Sequence, residues 1–232
     1  PRAKSILDYM VDLDYRATVF QTLHQNVTPS GLDTLLFKGI EVVTGEYDFG
    51  AFSKERAGFY DTIFISRPHN LRRFFNLARL RFPRAQIIYD AEALFYEREK
   101  LRNKLFNLNP AQTEENERLE LDMMCLADKI ISVSDAERRI IERARPHVAG
   151  KICVWGHALP VDATENEFHE RRGLLFTGNL NAENPNEDSI MFFAQEVWPK
   201  VKKALGCTIA ITGSNPTKRV SDLASDSIVV TG

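Results

Sequence analysis

Short apolar runs alternate with helical patterns along the chain, and this alternation restricts the possible folds more than any other feature of the sequence. Runs with the length and composition of buried strands occupy residues 17–20, 40–43, 61–66, 86–89, 129–133, 152–155, 174–177, 208–211 and 228–230. Strands that alternate with helices form βαβ units and a mostly parallel sheet. We therefore predict an α/β fold with parallel sheets of the Rossmann-like kind.

Helical patterns fill the intervals between these runs. They cover residues 3–13, 31–39, 49–60, 70–82, 95–127, 188–205 and 222–225. The longest of them is predicted to break near Pro110. A further helix begins after Ser134 and ends near Arg145. Ser134 is a good N-cap residue, and Glu137 three residues later predicts a capping box.

A polar stretch of little periodicity at residues 161–172 separates two α/β patterns and is typical of a linker between domains. We predict an N-terminal Rossmann-like domain at 1–160 and the first part of a second domain at 173–232. The second part, of about 60 residues, is too small to complete a doubly wound sheet. No strand precedes the first helix either. We therefore expect parts of the protein to be missing from this chain at both ends.

The composition excludes several classes of protein. The formal net charge is −2, so we do not expect nucleic acid as a partner. The cysteines are far apart and lack zinc-site spacing, which argues against a metal site and fits a reducing compartment. No apolar stretch approaches the ~20 residues of a membrane span, and no signal peptide is visible, so we predict a cytoplasmic protein. A local group of arginines is interpreted as the solvent face of one helix: Arg72, Arg73, Arg79, Arg81 and Arg84.

Polar side chains follow the ends of two predicted strands in the first domain. Asp90 and Glu92 follow one strand, and Arg67 and His69 follow the strand before it. Ligands bind at the carboxyl ends of the strands in open parallel sheets, so Asp90, Glu92 and His69 are candidate site residues. The alternative is that the acids cap the following helix and that His69 only begins the next one.

The segment GNLNAENPN at residues 178–186 lies between a predicted strand and a predicted helix. One interpretation is a turn in which Pro185 fixes the backbone and Asn186 caps the helix. The other is a backbone cradle for an anion, because N–H groups at a helix N-terminus attract phosphate and Gly178 allows close approach. The candidate ligand-binding residues are Gly178, Asn179, Asn186 and, at the end of the next strand, Gly213.

Several of these segments occur together in one known family. SRPH at 66–69, YDAEALFYERE at 89–99 and ISVSDAE at 131–137 are followed by LFTGNL at 175–180, NPN at 184–186, VWP at 197–199, ITGS at 211–214 and VVTG at 229–232. Each segment alone is weakly specific. The ordered set resembles the middle of a group-1 glycosyltransferase of the GT-B fold, the large retaining class that uses nucleotide sugars.

The resemblance implies two Rossmann-like domains, of which the first usually holds the acceptor and the second the nucleotide sugar. It implies transfer of a sugar from a nucleotide-diphosphate donor to a hydroxyl of a glycan, lipid or protein acceptor, with retention of configuration. Neither a metal nor another cofactor is expected. Asp90, Glu92 and His69 would be catalytic, and the loop after Phe176 would lie near the donor diphosphate. Peripheral association with a membrane is compatible with this function.

Departures from the family pattern leave alternatives open. The loop at 178–186 has no lysine or arginine, although many members neutralise the diphosphate with basic side chains. The family's paired glutamates and its early glycine-rich loop would lie outside this chain, so we expect weak or no transferase activity from it alone. A non-catalytic binding or assembly module and a nucleotide-sugar isomerase remain alternatives. A nicotinamide-dependent dehydrogenase is disfavoured because no GxGxxG follows a strand.

Overall fold

The structure, a computed structural model, describes residues 2–22, 29–44, 48–106, 111–158, 161, 163–182 and 184–231 of the 232-residue chain. The chain divides into two compact units, Pro1–Glu97 with Ala111–Pro160, and Arg98–Pro110 with Val161–Gly232. The predicted first domain includes 98–110, whereas the described residues 98–106 belong to the second unit. In the sheets of the described residues, all neighbouring strands are parallel, which confirms the predicted α/β class.

The first unit contains a small parallel sheet near its amino-terminal helix. This helix is α1 (Arg2–Asp12), and the sheet pairs β1 (Thr18–Phe20) with β2 (Glu41–Val43). In the sequence, α2 (Pro29–Phe37) lies between these two strands. A short helix, α3 (Phe49–Glu55), follows β2.

A larger parallel sheet forms the centre of the first unit. Its strands lie in the order β3 (Thr62–Ser66), β4 (Gln86–Asp90), β5 (Lys129–Ser132) and β6 (Ile152–Val154). The helices between them are α4 (Pro68–Arg81), α5 (Phe95–Phe106), α6 (Ala111–Cys125) and α7 (Asp135–Ala144). None of the helices in the described part of the chain combines the length and the apolar character that crossing a membrane requires.

The core of the first unit forms where α4, α6 and α7 cover this sheet. Leu71, Ile87, Ile130 and Ile141 have no exposed surface. Each fully buried aliphatic side chain of this kind contributes about 1.5–3 kcal/mol through the hydrophobic effect. The continuous apolar runs seen in the sequence are therefore explained, because strands of a parallel sheet are buried on both faces.

An aromatic cluster connects the small sheet to the rest of the first unit. The ring of Phe20 on β1 lies 5.2 Å from the rings of both Phe49 and Phe52 on α3, measured between centroids. The Phe74 ring on α4 lies 4.8 Å from Phe49 and 6.2 Å from Phe20. Edge-to-face pairs at such distances add about 0.5–1.5 kcal/mol beyond area burial. The cluster thus fixes β1 against the helix that follows β3.

The helix termini agree with the sequence analysis in part. The Ser134 hydroxyl accepts a hydrogen bond from the Glu137 N–H at 3.2 Å, which confirms the predicted N-cap of α7. Glu137 does not complete the predicted capping box. Its Oε1 instead accepts from the N–H of Leu94 at 3.3 Å, because the α5 entry lies within reach of this carboxylate.

The predicted long helix at 95–127 is two helices, α5 and α6, and the predicted break near Pro110 falls outside the described residues. Glu120 of α6 caps the N-terminus of α5, although it lies 24 and 25 residues after the two residues that it contacts. Its two carboxylate oxygens accept from the N–H groups of Phe95 and Tyr96 at 3.1 and 3.0 Å. A carboxylate at a helix N-terminus is favoured by the unpaired N–H donors and by the helix dipole.

The second unit contains a three-stranded parallel sheet in its described part. Its strands lie in the order β7 (Leu174–Thr177), β8 (Ile209–Thr212) and β9 (Ile228–Thr231). Between β7 and β8 lie α8 (Pro185–Phe192) and α9 (Trp198–Leu205), and α10 (Lys218–Ser221) precedes β9. The buried side chains of this unit's core are Leu180, Ile190, Trp198, Ile209, Ile211, Val220 and Ile228.

A π-helical segment, Phe193–Val197, joins α8 to α9 without interrupting the helical path. The N–H of Trp198 donates to the Phe193 carbonyl, five residues earlier. Pro199 is the second residue of α9 and has no N–H to donate. A single widened turn of this kind accommodates a proline that would otherwise clash inside a continuous helix.

Two helices of the second unit differ from the predicted bounds. α8 begins at Pro185 instead of residue 188, and its N-cap is Asn184, whose side chain accepts from the Asn186 N–H at 2.9 Å. The prediction that Asn186 caps this helix is therefore wrong. α10 lies at Lys218–Ser221 instead of 222–225, because the Thr217 hydroxyl caps it by accepting from the Val220 N–H.

The strands β7 and β8 come into very close contact just beyond their ends. A Cβ atom added to Gly213 would lie 1.7 Å from the carbonyl oxygen of Gly178 and 2.8 Å from its carbonyl carbon. Gly213 also has a φ of +157°, which L side chains rarely adopt. Only glycine fits this position without moving the backbone of the neighbouring strand.

We expect Gly213→Ala to destabilise the second unit by about 2–4 kcal/mol, because the methyl group would meet backbone atoms. Urea denaturation followed by fluorescence would measure the loss. The matched control is Gly150→Ala, where an added Cβ has no atom within 4 Å. The control is expected to change stability by less than about 0.5 kcal/mol. Equal effects of the two substitutions would contradict the proposed close contact.

Candidate functional site at the carboxyl ends of the parallel strands

The strands β3 and β4 end side by side, and the polar residues predicted from the sequence follow them directly. Ser66 pairs in register with Asp90, and these are the last residues of the two strands. The N–H of Arg67 donates to the Asp90 carbonyl at 3.1 Å and extends the pairing by one residue. This edge therefore brings Arg67, Asp90 and Glu92 into one region of the first unit.

Asp90 forms a buried ion pair with Arg2 of α1. Nη2 of Arg2 donates to Oδ1 at 2.7 Å and Nε donates to Oδ2 at 3.0 Å, so the contact is bidentate. The exposed fraction is 7% for the Arg2 side chain and 1% for the Asp90 side chain. The Ser66 hydroxyl donates to the same carboxylate at 3.4 Å. Nη1 of Arg2 donates to the Gly156 carbonyl at 3.0 Å.

These contacts define the role of Asp90 in the fold. Taking two charges out of water costs several kcal/mol per ion, and only good geometry and additional hydrogen bonds offset that cost. The Asp90 carboxylate uses both oxygens to hold Arg2, and so it positions α1 against the sheet. It does not cap the following helix, since Glu120 accepts from the first N–H groups of α5.

Glu92 lies at the same edge and has a different partner. Its Oε2 accepts from Nε of Arg67 at 2.7 Å, and the two side chains are 20% and 49% exposed, respectively. Both residues have positive φ angles, +76° for Arg67 and +54° for Glu92. A non-glycine residue in this region is uncommon, and such strain persists only where the surrounding structure imposes it. Two adjacent strand ends thus carry strained residues whose charged side chains bind each other.

His69 is exposed in the first turn of α4, two residues after Arg67. Pro68 is the first residue of this helix, as the sequence alternative of a helix start suggests. The Asn70 side chain donates to the Ser66 carbonyl at 2.9 Å and ties the helix start to the end of β3. The exposed imidazole is accessible to a ligand from solvent.

A cavity of about 450 Å³ opens beside the Arg2–Asp90 pair. Its lining comes from α1 and from the segment after β6: Arg2, Ser5, Ile6, Tyr9, Trp155, Gly156 and Ala158. The rings of Tyr9 and Trp155 pack edge to face, with centroids 6.1 Å apart. Apolar walls with a few polar groups at one end are typical of small-ligand sites.

A group of buried polar atoms lies under the same edge. The hydroxyl of Tyr89 and Oε2 of Glu137 are buried and have no hydrogen-bond partner among the described residues. Burial, together with the negative charges of Glu120, Asp90, Glu92 and Glu137, raises the pKa of Tyr89 far above its usual value. Tyr89 is therefore a neutral phenol at any physiological pH and does not serve as a base.

In the second unit, hydrogen bonds within the chain occupy much of the loop at 178–186. The N–H groups of Gly178 and Leu180 donate to the carbonyls of Thr212 and Ser214 at 3.1 and 3.0 Å. The N–H of Asn181 donates to Oδ1 of Asn179 at 3.2 Å. These contacts continue the pairing of β7 with β8 and form a tight turn.

Asn186 faces inward on this loop. Its Nδ2 donates to the Asn179 carbonyl at 3.2 Å. A Cβ added to Gly178 would lie 2.9 Å from that same Nδ2 atom, so the close approach at Gly178 is made by Asn186. Gly213 in turn packs on the Gly178 backbone, as described above. The structure thus brings together all four predicted residues, Gly178, Asn179, Asn186 and Gly213.

The N-terminus of α8 carries negative charge in its first turn. Asp188 is exposed, and Glu187 is buried and accepts a hydrogen bond from the Thr217 hydroxyl at 2.7 Å. Pro185 has no N–H, and the N–H of Asn186 already donates to Asn184. The first two residues of α8 therefore offer no free N–H group to an anion. The nearby carboxylates repel an anion.

Arg2 is the main partner of Asp90, but it was not among the predicted site residues. The two residues are 88 positions apart, and no local pattern connects them. The ion pair of Arg67 with Glu92 was also not predicted. Both residues have positive φ angles, and positive φ at a non-glycine residue has no reliable local signal in a sequence. The residue before a proline is restricted, and Arg67 precedes Pro68, which is the only sequence hint of unusual backbone there.

The described residues contain no group of three or more His, Cys, Asp or Glu side chains arranged to hold a metal ion. Comparison of the sequence with models of known protein families gives no match, and comparison with curated proteins gives none either. The assignment of a function therefore depends on the arrangement of the residues themselves.

We expect Asp90→Ala to lower the free energy of unfolding by about 3–5 kcal/mol, because it leaves the Arg2 guanidinium buried without its counter-ion. Chemical denaturation would measure this loss. The matched control is Glu92→Ala, whose more exposed ion pair is worth about 1 kcal/mol or less. The double variant Arg2→Met with Asp90→Leu is expected to recover part of the loss. Similar losses of unfolding free energy for Asp90→Ala and Glu92→Ala would show that the buried ion pair stabilises the fold no more than the exposed pair does.

Proposed function

We propose that this chain belongs to a retaining glycosyltransferase that uses a nucleotide-diphosphate sugar. One observation carries the proposal. The segments that resemble the group-1 family lie at the carboxyl ends of parallel strands in both units: 66–69 at the end of β3, 90–92 at the end of β4, 132–137 at the end of β5, 178–186 after β7 and 213–214 after β8. Ligands of open parallel sheets bind at these ends.

On the acceptor side, the proposal assigns His69 and Glu92 to the reacting hydroxyl group. Both lie at the carboxyl edge of the larger sheet, His69 is exposed, and Glu92 retains 20% exposure of its side chain. Asp90 acts through Arg2 and is a positioning residue. The cavity beside Arg2, with the aromatic rings of Tyr9 and Trp155, suits the apolar face of a sugar ring or a lipid-linked group.

On the donor side, the proposal assigns the loop at 178–186 and Gly213 to the nucleotide diphosphate. In a retaining transfer of this type the departing diphosphate serves as the base, so the protein mainly orients the reactants and stabilises the negative charge that develops on the leaving group. Asn179 is exposed, and the proposal assigns its side-chain N–H groups to the ligand, since its Oδ1 accepts from the Asn181 N–H. The acceptor is a hydroxyl of a glycan, lipid or protein.

A second candidate function is supported by a different set of contacts. Internal hydrogen bonds occupy the N–H groups of Gly178, Leu180 and Asn181, and α8 begins with two carboxylates. The segment 178–186 also lacks a lysine or arginine. These features favour a non-catalytic binding or assembly module of the same fold. A nucleotide-sugar isomerase is distinguished from both by the products formed from a nucleotide sugar.

Calorimetric titration of uridine, guanosine, adenosine and thymidine diphosphates into the natural full-length protein tests the proposal. We expect one diphosphate to bind selectively, and the matching nucleotide sugar to release that diphosphate when an acceptor is present. A folded full-length protein that binds none of them and transfers no sugar would support the binding module instead.

We expect Asp188→Asn to tighten binding of the selected diphosphate by about threefold, because it removes a negative charge from the first turn of α8. The matched control is Asp226→Asn, which removes an exposed carboxylate outside this helix. The control is expected to leave the dissociation constant unchanged. If Asp188→Asn has no larger effect than the control, the diphosphate does not bind near the start of α8.

A further inference from the structure

The segment 91–94, between β4 and α5, presents one side chain to solvent. Its other three residues are buried: Ala91, Ala93 and Leu94. The Glu92 side chain is 20% exposed. Glu92 also has a φ of +54°, a conformation that a non-glycine residue keeps only where the surrounding structure imposes it. The position of the Glu92 carboxylate therefore depends on how the backbone on either side of it is held.

The beginning of this segment is held by the sheet. The N–H of Ala91 donates to the Ile131 carbonyl on β5 at 3.0 Å, directly after the last paired residue of β4. This contact joins two backbone groups, so it does not depend on which side chain follows. The backbone just before Glu92 is therefore fixed by the fold itself.

Carboxylates from two distant helices hold the other end of the segment. Oε1 of Glu137 on α7 accepts from the Leu94 N–H at 3.3 Å. The next two N–H groups donate to Glu120 on α6, which thereby caps α5. The bond from Glu137 lies one residue before α5 begins. It therefore holds the backbone between Glu92 and the helix, which the cap itself does not reach.

Glu137 makes a contact that is unusual for its position in α7. As the third residue of a helix with Ser134 as N-cap, it would ordinarily accept from the Ser134 N–H and complete a capping box. It uses Oε1 on Leu94 instead, and its Oε2 is buried without a hydrogen-bond partner among the described residues. Burying a carboxylate oxygen in this way costs stability, which indicates a role other than stabilisation.

We propose that Glu137 is a positioning residue for Glu92, and this inference rests on the proposed transferase function. By accepting from the Leu94 N–H, Glu137 fixes the backbone after Glu92. The Glu92 carboxylate is thereby kept at the strand end, where Arg67 binds it at 2.7 Å. A displacement of ~1 Å at a reacting group can cost about 100-fold in rate. Glu137 acts from within the fold and does not contact the substrate.

Kinetic measurements on the natural full-length protein test the proposal. We expect Glu137→Ala to lower kcat for sugar transfer about 30-fold and to change KM for the nucleotide sugar by less than about twofold. Glu137→Gln is expected to keep kcat within about threefold, since its amide oxygen still accepts from the Leu94 N–H. Both variants remove the negative charge from the first turn of α7. Equal losses of kcat in the two variants would therefore overturn the proposal.

A double-mutant cycle shows whether Glu137 acts through Glu92. Glu92→Gln alone is expected to lower kcat, and Glu137→Ala added to it is expected to lower kcat by no more than about twofold further. A second loss of about 30-fold would show that the two residues act independently, contrary to the proposal. The control is Glu142→Ala on the same helix, where the carboxylate binds Arg138 at 2.9 Å, and it is expected to leave kcat unchanged.

Hydrogen exchange measured by mass spectrometry tests the same contact without a substrate. We expect Glu137→Ala to accelerate exchange about tenfold in peptides that contain the Leu94 N–H, and Glu137→Gln and Glu142→Ala to leave it unchanged. Unchanged exchange in Glu137→Ala would overturn the proposal whether or not the protein transfers a sugar. If exchange accelerates but the unmodified protein transfers no sugar, the hold of Glu137 on this segment is supported and the proposed function is wrong.

Discussion

The buried ion pair between Arg2 and Asp90 is the interaction on which the arrangement of the first unit depends. It connects α1 to the carboxyl end of β4, and through the Gly156 carbonyl it also connects α1 to the segment after β6. Buried charges require fixed geometry, because neither partner can exchange the other for water without a large cost. The pair therefore determines where α1 lies, and with it one wall of the cavity beside the sheet.

Because of this pair, the two acidic residues of this edge, Asp90 and Glu92, differ in their exposure to solvent. Asp90 is occupied by Arg2, whereas Glu92 two residues later turns outward at positive φ and binds the partly exposed Arg67. Glu92 and His69 are therefore accessible from solvent at the strand ends, whereas Asp90 is not. Two carboxylates that are two positions apart in the sequence thus serve different purposes, one in the architecture and one at the surface.

The parts of the fold that depend on local sequence could be predicted, and the parts that depend on distant contacts could not. Parallel strands are continuous apolar runs, so the positions of β3, β4 and β7 agree with the sequence within one residue. Ser134 was identifiable as a cap because a cap involves neighbouring residues. The Arg2–Asp90 pair and the approach of Gly213 to Gly178 join segments that only the folded chain brings together. The π-helical turn before Pro199 also depends on how a proline is accommodated, which periodicity does not reveal.

The hydrogen bond from Arg2 to the Gly156 carbonyl has a consequence for biosynthesis. Its two ends are 154 residues apart in the chain. At a synthesis rate of about 5–20 residues per second, about 8–30 s elapse between the appearance of Arg2 and that of Gly156 on the ribosome. During this interval α1 lacks the acceptor that completes its docking position, although Asp90 is made earlier. α1 is thus synthesised well before the last segment that holds it in its native position.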